Sequence, residues 1–309
     1  MMPNMISFLN LIRWKNLLLI ALVQILIKYA LLESFEVVRF TLNDFGFFLL
    51  VLATISIAAA GYVINDIYDV ETDLVNKPEK IIVGKSISEK SAFSIYIILT
   101  IIGVGVGFYL SNLVGRNGFS AIFVIISALL YIYATYLKQT ALVGNIVISF
   151  LVSMSLLIVG LFELLPVITE QNRETQLTFF KIIFDYAIFA FMINMLREMI
   201  KDIEDINGDH KAEMKTLPIL IGRKRSLKVV FALSLIPLFA VTYYIITYLY
   251  KHYVAVGYFL ILIIAPLLYF TIKSFTAETK KEISFLSVLL KFIMFFGVLS
   301  LLLYPFILK

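Results

Sequence analysis

Cysteine is absent from the 309 residues, and histidine occurs only twice. The first absence excludes a disulfide framework, a thiolate metal centre and a cysteine nucleophile. Two isolated histidines, His210 and His252, exclude a histidine-rich metal site. Charge is scarce as well: 15% of the residues are charged against 61% hydrophobic, and the mean hydropathy is +0.97. A water-soluble domain with that balance would expose large apolar patches, so the chain belongs in a bilayer. No stretch is left that is long or polar enough to fold outside it, and residues 1–309 read as a single membrane domain. The formal net charge of +5 points to nucleic acid only until the charges are placed. Most sit in loops on one side of the membrane, so no nucleic-acid partner is expected.

Apolar runs of about 20 residues, the length that crosses a ~30 Å hydrocarbon core, occur near 14–32, 45–66, 91–112, 119–137, 142–164, 179–201, 226–249, 254–274 and 284–306. The fold class is therefore all-α, a polytopic bundle of nine transmembrane helices. The first run follows Arg13 and Lys15 as a signal peptide's apolar region would, but it is too long and lacks a small-residue cleavage site, so it is expected to stay. Nine spans put the N-terminus and the basic loops on one side, which the positive-inside rule assigns to the cytoplasm. Lys28 and Lys291 remain inside spans.

The acids are distributed less evenly. Four fall between Asp66 and Asp73 and five between Glu198 and Asp209, both at helix ends on the expected cytoplasmic side. The two stretches copy one pattern: NDIYDVETD (65–73) and KDIEDINGD (201–209) share Asp-Ile-x-Asp with a further Asp four residues on. At about 100° per residue, Asp66, Asp69 and Asp73 share a helix face, as do Asp202, Asp205 and Asp209. Glu198 extends the second face by one turn, whereas Glu71 and Glu204 point away. Carboxylates at this spacing offer a hard cation oxygen ligands from successive turns, and magnesium favours a few carboxylates together with substrate phosphates. Two such faces across a bundle are suited to holding ions with a diphosphate between them. Lys77, Lys80, Lys138, Arg197, Lys201, Lys211 and Lys215 lie near enough to offset the remaining negative charge. A cation-coupled transporter is the competing class, though these acids sit at the interface rather than at midplane.

The first motif resembles the N-D-x-x-D-x-x-x-D of the UbiA superfamily of intramembrane prenyltransferases, and Asn76, Pro78, Lys80 and Gly84 resemble its continuation. The second motif is similar to that superfamily's second aspartate signature, followed by Thr216, Leu217 and Pro218 where Thr-Leu-Pro is common. Tyr133, Tyr136, Lys138, Gly144 and Asn145 resemble a third element. Two departures stand out. Lys80-Ile81 replaces Arg-Pro, which keeps the charge but loses the bidentate fork, and Lys138-Gln139 replaces Lys-Arg, one cation fewer.

The resemblance implies a helical bundle around a central cavity capped on the cytoplasmic side, with Mg2+-dependent transfer of a prenyl group from its diphosphate to a hydrophobic acceptor among membrane lipids. It assigns Asp66, Asp69, Asp202 and Asp205 to catalysis through metal, with Asn65, Asp73 and Asp209 completing the ligands. Lys80, Lys138, Arg197 and Lys201 become the diphosphate contacts, and Tyr133, Tyr136 and Asn145 acceptor or cavity residues. Within the superfamily, residues 197–222 are similar to the second-motif region of geranylgeranylglyceryl-phosphate geranylgeranyltransferases. A phosphorylated acceptor would suit the basic loop of Lys211, Lys215, Arg223, Lys224 and Arg225. Quinone-ring prenyltransferases are the alternative, and porphyrin-acceptor relatives come third.

Overall fold

The computed structural model describes residues 5–308. In chain order the helices are α1 (Met5–Leu11), α2 (Trp14–Leu32), α3 (Asp44–Tyr68), α4 (Val70–Asn76), α5 (Glu89–Leu113), α6 (Asn117–Thr135), α7 (Val143–Val167), α8 (Arg173–Lys211), α9 (Leu217–Ile221), α10 (Arg223–Leu249), α11 (Tyr253–Thr276) and α12 (Lys280–Ile307). All but α1, α4 and α9 are long and apolar enough to cross a membrane, which gives nine candidate spans among the described residues, as the apolar runs predict. Three helix starts are set by side-chain caps: Asn43 accepts from the Gly46 amide at 2.8 Å, Ser88 accepts from that of Ser91 at 3.2 Å, and Thr279 with Glu282 forms a capping box.

Helix α8 departs most from its predicted length, since it continues as helix through the acidic stretch to Lys211. Hydropathy falls there, and Asp, Asn and Gly lower helix propensity too, but contacts from Asn76 hold the segment, so an apolar-run criterion stops one motif too early. Its 39 residues reach about 58 Å. One half of α8 packs Phe179, Ile183 and Ala187 against α2, α3 and α7. The other packs Ile193, Leu196, Ile200 and Ile203 against α10, α11 and α12. This helix therefore joins the two larger of the bundle's three apolar clusters.

Two close approaches bring the acidic segments together. Helix α3 ends at Tyr68 and the chain resumes as α4, but the Asp69 amide still bonds Asn65 O at 2.9 Å and the Asp73 amide bonds Asp69 O at 2.8 Å. Direction is kept, so the three aspartates stay on one side. Helix α4 then lies against α8, where the Asn76 side chain donates to the Asp205 carbonyl at 2.9 Å and accepts from the Gly208 amide at 2.9 Å. A Cβ at Gly208 would run into the Asn76 side chain and stand 2.7 Å from Thr72 O, so only glycine allows this approach. At the start of α7, a Cβ on Gly144 would come within 2.6 Å of Leu137 O, which is backbone and cannot turn aside. The α6–α7 linker carrying Lys138 is thereby held against Asn145.

At the far end, Lys28 and Glu163 pair at 3.0 Å with both side chains fully buried. Lys28 also donates to Leu42 O at 2.8 Å, and Glu163 accepts from the Thr41 and Leu42 amides at 3.1 and 3.0 Å. Together they pin the α2–α3 linker to α7 and satisfy one of the two lysines found inside spans.

Two outcomes follow for unfolding in detergent. Lys28→Met leaves Glu163 charged and alone in the core and lowers stability by about 3–5 kcal/mol; an unchanged unfolding temperature would contradict the pairing. Gly208→Ala overpacks the α4–α8 contact and costs about 1–3 kcal/mol, and proteolysis within α4 should quicken as that helix lifts away.

Candidate active site

All six repeat aspartates line one cavity of about 930 Å3, together with Asn65, Lys80, Lys138, Arg197, Lys201 and Tyr133. The two faces read from the sequence thus meet at the same end of the bundle. Five of the six carboxylates are held by a side-chain partner. Arg13 donates to Asp66 at 2.7 Å and Lys77 to Asp205 at 2.6 Å. Lys138 pairs with Asp69, which also accepts from Asn65 Nδ2 at 2.6 Å. Asn145 donates to Asp202 at 2.8 Å, and the Thr216 hydroxyl to Asp209 at 3.1 Å. Asp73 has no such partner among the described residues; burial, then its neighbour Asp69, pushes its carboxyl up to about 6. Burial opposes the Lys77 ammonium, but the Asp205 charge prevails and raises it.

The cavity also holds a second cluster. Glu198 accepts from Arg197 at 2.8 Å and from Lys201 at 2.9 and 3.2 Å. Glu198 therefore does not extend the metal-type face; it ties two cations together. Arg13 reaches the cavity through a left-handed backbone (φ 50°) in the α1–α2 turn and packs over the Tyr62 ring at 5.0 Å. A non-glycine residue in that region is uncommon, and here it aims a guanidinium at Asp66.

The donor set fits a hard divalent ion. It is all oxygen, it comes from two opposed faces, and two of its buried atoms, Asn65 Oδ1 and Asp205 Oδ1, find no hydrogen-bond partner. Among the described residues no three acidic or histidine side chains are already gathered around one point. Lys77, Lys138 and Arg13 occupy the carboxylates instead, so loading an ion means exchanging these contacts.

Two expectations are corrected. Tyr136 is 65% exposed and lines neither cavity, because α6 ends at Thr135 and the chain leaves the face that carries Tyr133. Lys211, Lys215, Arg223, Lys224 and Arg225 also stand outside the cavity lining. The chain turns at Glu213 (φ 55°), the Lys215 amide bonds Gln139 O at 2.8 Å, and Lys224 faces Glu278 at 3.8 Å. Asn145 is buried behind the cavity wall and acts through its bond to Asp202. Arg13, Asn16, Tyr62 and Lys291 line the site without having been singled out by the motifs.

A second, apolar cavity of about 170 Å3 runs between α2, α3, α6 and α7 past Ile57, Gly61, Phe123, Leu130 and Leu151. It shares Arg13, Asn16, Asn65, Tyr133, Arg197, Glu198 and Lys201 with the polar one. A charged head and an apolar group of one molecule thus find adjoining room.

Residues 37–296 match the UbiA prenyltransferase family. Digeranylgeranylglyceryl phosphate synthase of Methanosphaera stadtmanae is 30% identical over 231 residues, covering 73% of this chain and 76% of that protein. The synthase of Methanothermobacter thermautotrophicus is 37% identical over 183 residues, 59% of this chain and 58% of its own length. In fold, a solved digeranylgeranylglyceryl phosphate synthase superposes with a TM-score of 0.65 at 24% identity, over 97% of both chains. A UbiA homologue from Archaeoglobus fulgidus bound to GPP and Mg2+ gives 0.58 at 15% identity, over 96% of this chain and 99% of that one. The chain belongs to the UbiA family of prenyltransferases.

Proposed function

We propose that this prenyltransferase moves a geranylgeranyl group from its diphosphate to the free hydroxyl of geranylgeranylglyceryl phosphate, with Mg2+ as cofactor and with the aspartate end of the bundle facing the cytoplasm. The observation that carries the reading is the meeting of both aspartate faces in one cavity that adjoins an apolar channel. The acceptor follows from the relatives' activity, the ion from the all-oxygen donor set, and the orientation from the basic bias of the loops on that side.

Asp66, Asp69, Asp202 and Asp205 are the metal ligands of this proposal, with Asn65, Asp73 and Asp209 beside them. Mg2+ held by these carboxylates would supply positive charge that offsets the charge building on the departing diphosphate. Lys77, Lys138 and Arg13, which pair with Asp205, Asp69 and Asp66, would face the diphosphate together with Lys80. The C1–O bond of the donor breaks with both electrons going to diphosphate. The acceptor oxygen forms the new bond to C1 and its proton leaves into the polar cavity. Phe123, Leu130 and Tyr133 line the adjoining walls, where apolar and aromatic faces exclude water from the allylic cation.

Purified protein given Mg2+, geranylgeranyl diphosphate and geranylgeranylglyceryl phosphate should release diphosphate and form the doubly alkylated lipid, detected by mass spectrometry. Asp66→Ala and Asp202→Ala should each lower the rate by about 100-fold or more with the unfolding temperature retained. Wild-type rates from either variant would refute the assignment, and diphosphate release that depends instead on an aromatic acid would refute the acceptor.

A further inference from the structure

Lys28 and Lys291 are the two lysines inside spans, and only the first is explained by its surroundings. Lys28 is neutralised by Glu163. Lys291 lies eleven residues into α12, which begins at Lys280, about 16 Å along the axis. That is farther than a lysine side chain extends, so it cannot snorkel to the membrane surface. It lines the aspartate cavity, within electrostatic reach of Arg197, Arg13, Glu198 and Lys80. Among the described residues it makes no ion pair, while Arg13, Lys77 and Lys138 are committed to aspartates, and Arg197 and Lys201 share Glu198. An ionisable group inside a span is costly unless it meets a partner, and among the described residues no carboxylate forms an ion pair with it.

Resting on the acceptor reading above, we infer that Lys291, with the Arg197–Glu198–Lys201 cluster, forms the subsite for the phosphate of the lipid acceptor. Two polyanions must enter one cavity in the proposed reaction, and they repel unless each has its own counter-charge. The aspartate faces and their ions take the diphosphate. The cluster carries one net positive charge and Lys291 a second, which matches a phosphate monoester of about −1.5 to −2 at neutral pH. The basic side chains from Lys211 to Arg225, where the sequence suggested this phosphate would sit, do not line the cavity. Lys291 thereby selects phosphorylated lipids over neutral or aromatic acceptors.

The test compares wild type, Lys291→Met and Lys291→Arg in detergent, with geranylgeranylglyceryl phosphate and with the same lipid lacking its phosphate. Losing one charge-assisted contact should raise KM for the phosphorylated acceptor about tenfold or more, with KM for geranylgeranyl diphosphate held near wild type. Use of the phosphate-free alcohol should be unaffected, and Lys291→Arg should keep most of the acceptor affinity. An unchanged acceptor KM in Lys291→Met, or equal losses with both lipids, would overturn the inference while leaving the proposed reaction standing. Wild-type protein that turns over donor but never the phosphorylated lipid would overturn both.

Discussion

Six aspartates at the mouth of an apolar bundle repel one another and resist desolvation, so the site exists only while positive groups hold them apart. The surrounding structure meets that constraint with long-range partners. Arg13 comes from the turn before the first span, Lys77 from the end of α4 and Lys138 from the α6–α7 linker. Each partner arrives through a local backbone choice: a left-handed residue at Arg13, the Asn76–Gly208 contact that seats α4, and the Gly144 approach that seats the linker. Helix α8 carries the second face because it stays helical past the apolar span. Remove any of these devices and the carboxylates separate or lose their counter-charges.

The same arrangement divides the interior into chemical zones. An acidic face with exchangeable cations lies on one wall, the Arg197–Glu198–Lys201 cluster stands at the junction, and an apolar channel continues between α2, α3, α6 and α7. In the proposed reaction the diphosphate occupies the acidic zone, the acceptor phosphate the cluster and the isoprenoid tail the channel. Charge separation is then favoured where hydrogen-bond donors are already oriented, and the cation forms where water is sparse.

Much of this was legible in the sequence, because hydropathy reports spans directly and a repeated Asp-Ile-x-Asp reports a shared face whatever its surroundings. Asp66, Asp69, Asp73 and their three counterparts follow from spacing alone. Arg13 was read as a topology-setting charge, since nothing local announces a partner 53 residues away. Tyr136 resembles a motif position, but the end of α6 decides its direction, and helix ends are poorly encoded in hydropathy. Glu198 fits the helical period of the acidic face, yet Arg197 and Lys201 claim it first. The loop after α8 is dense in charge, but it turns at Glu213 and presents Met214 to the cavity, while its basic side chains stand outside the lining.

The central claim is that the α3/α4 and α8 aspartates act as one divalent-ion and diphosphate site. Anomalous diffraction from crystals grown with Mn2+ and an unreactive thio analogue of geranylgeranyl diphosphate tests it most directly. The account predicts manganese peaks contacting carboxylates of both repeats, with the diphosphate between them and the tail in the channel past Phe123 and Leu130. Manganese bound to one repeat alone, or a diphosphate held only by lysines away from the aspartates, would contradict it.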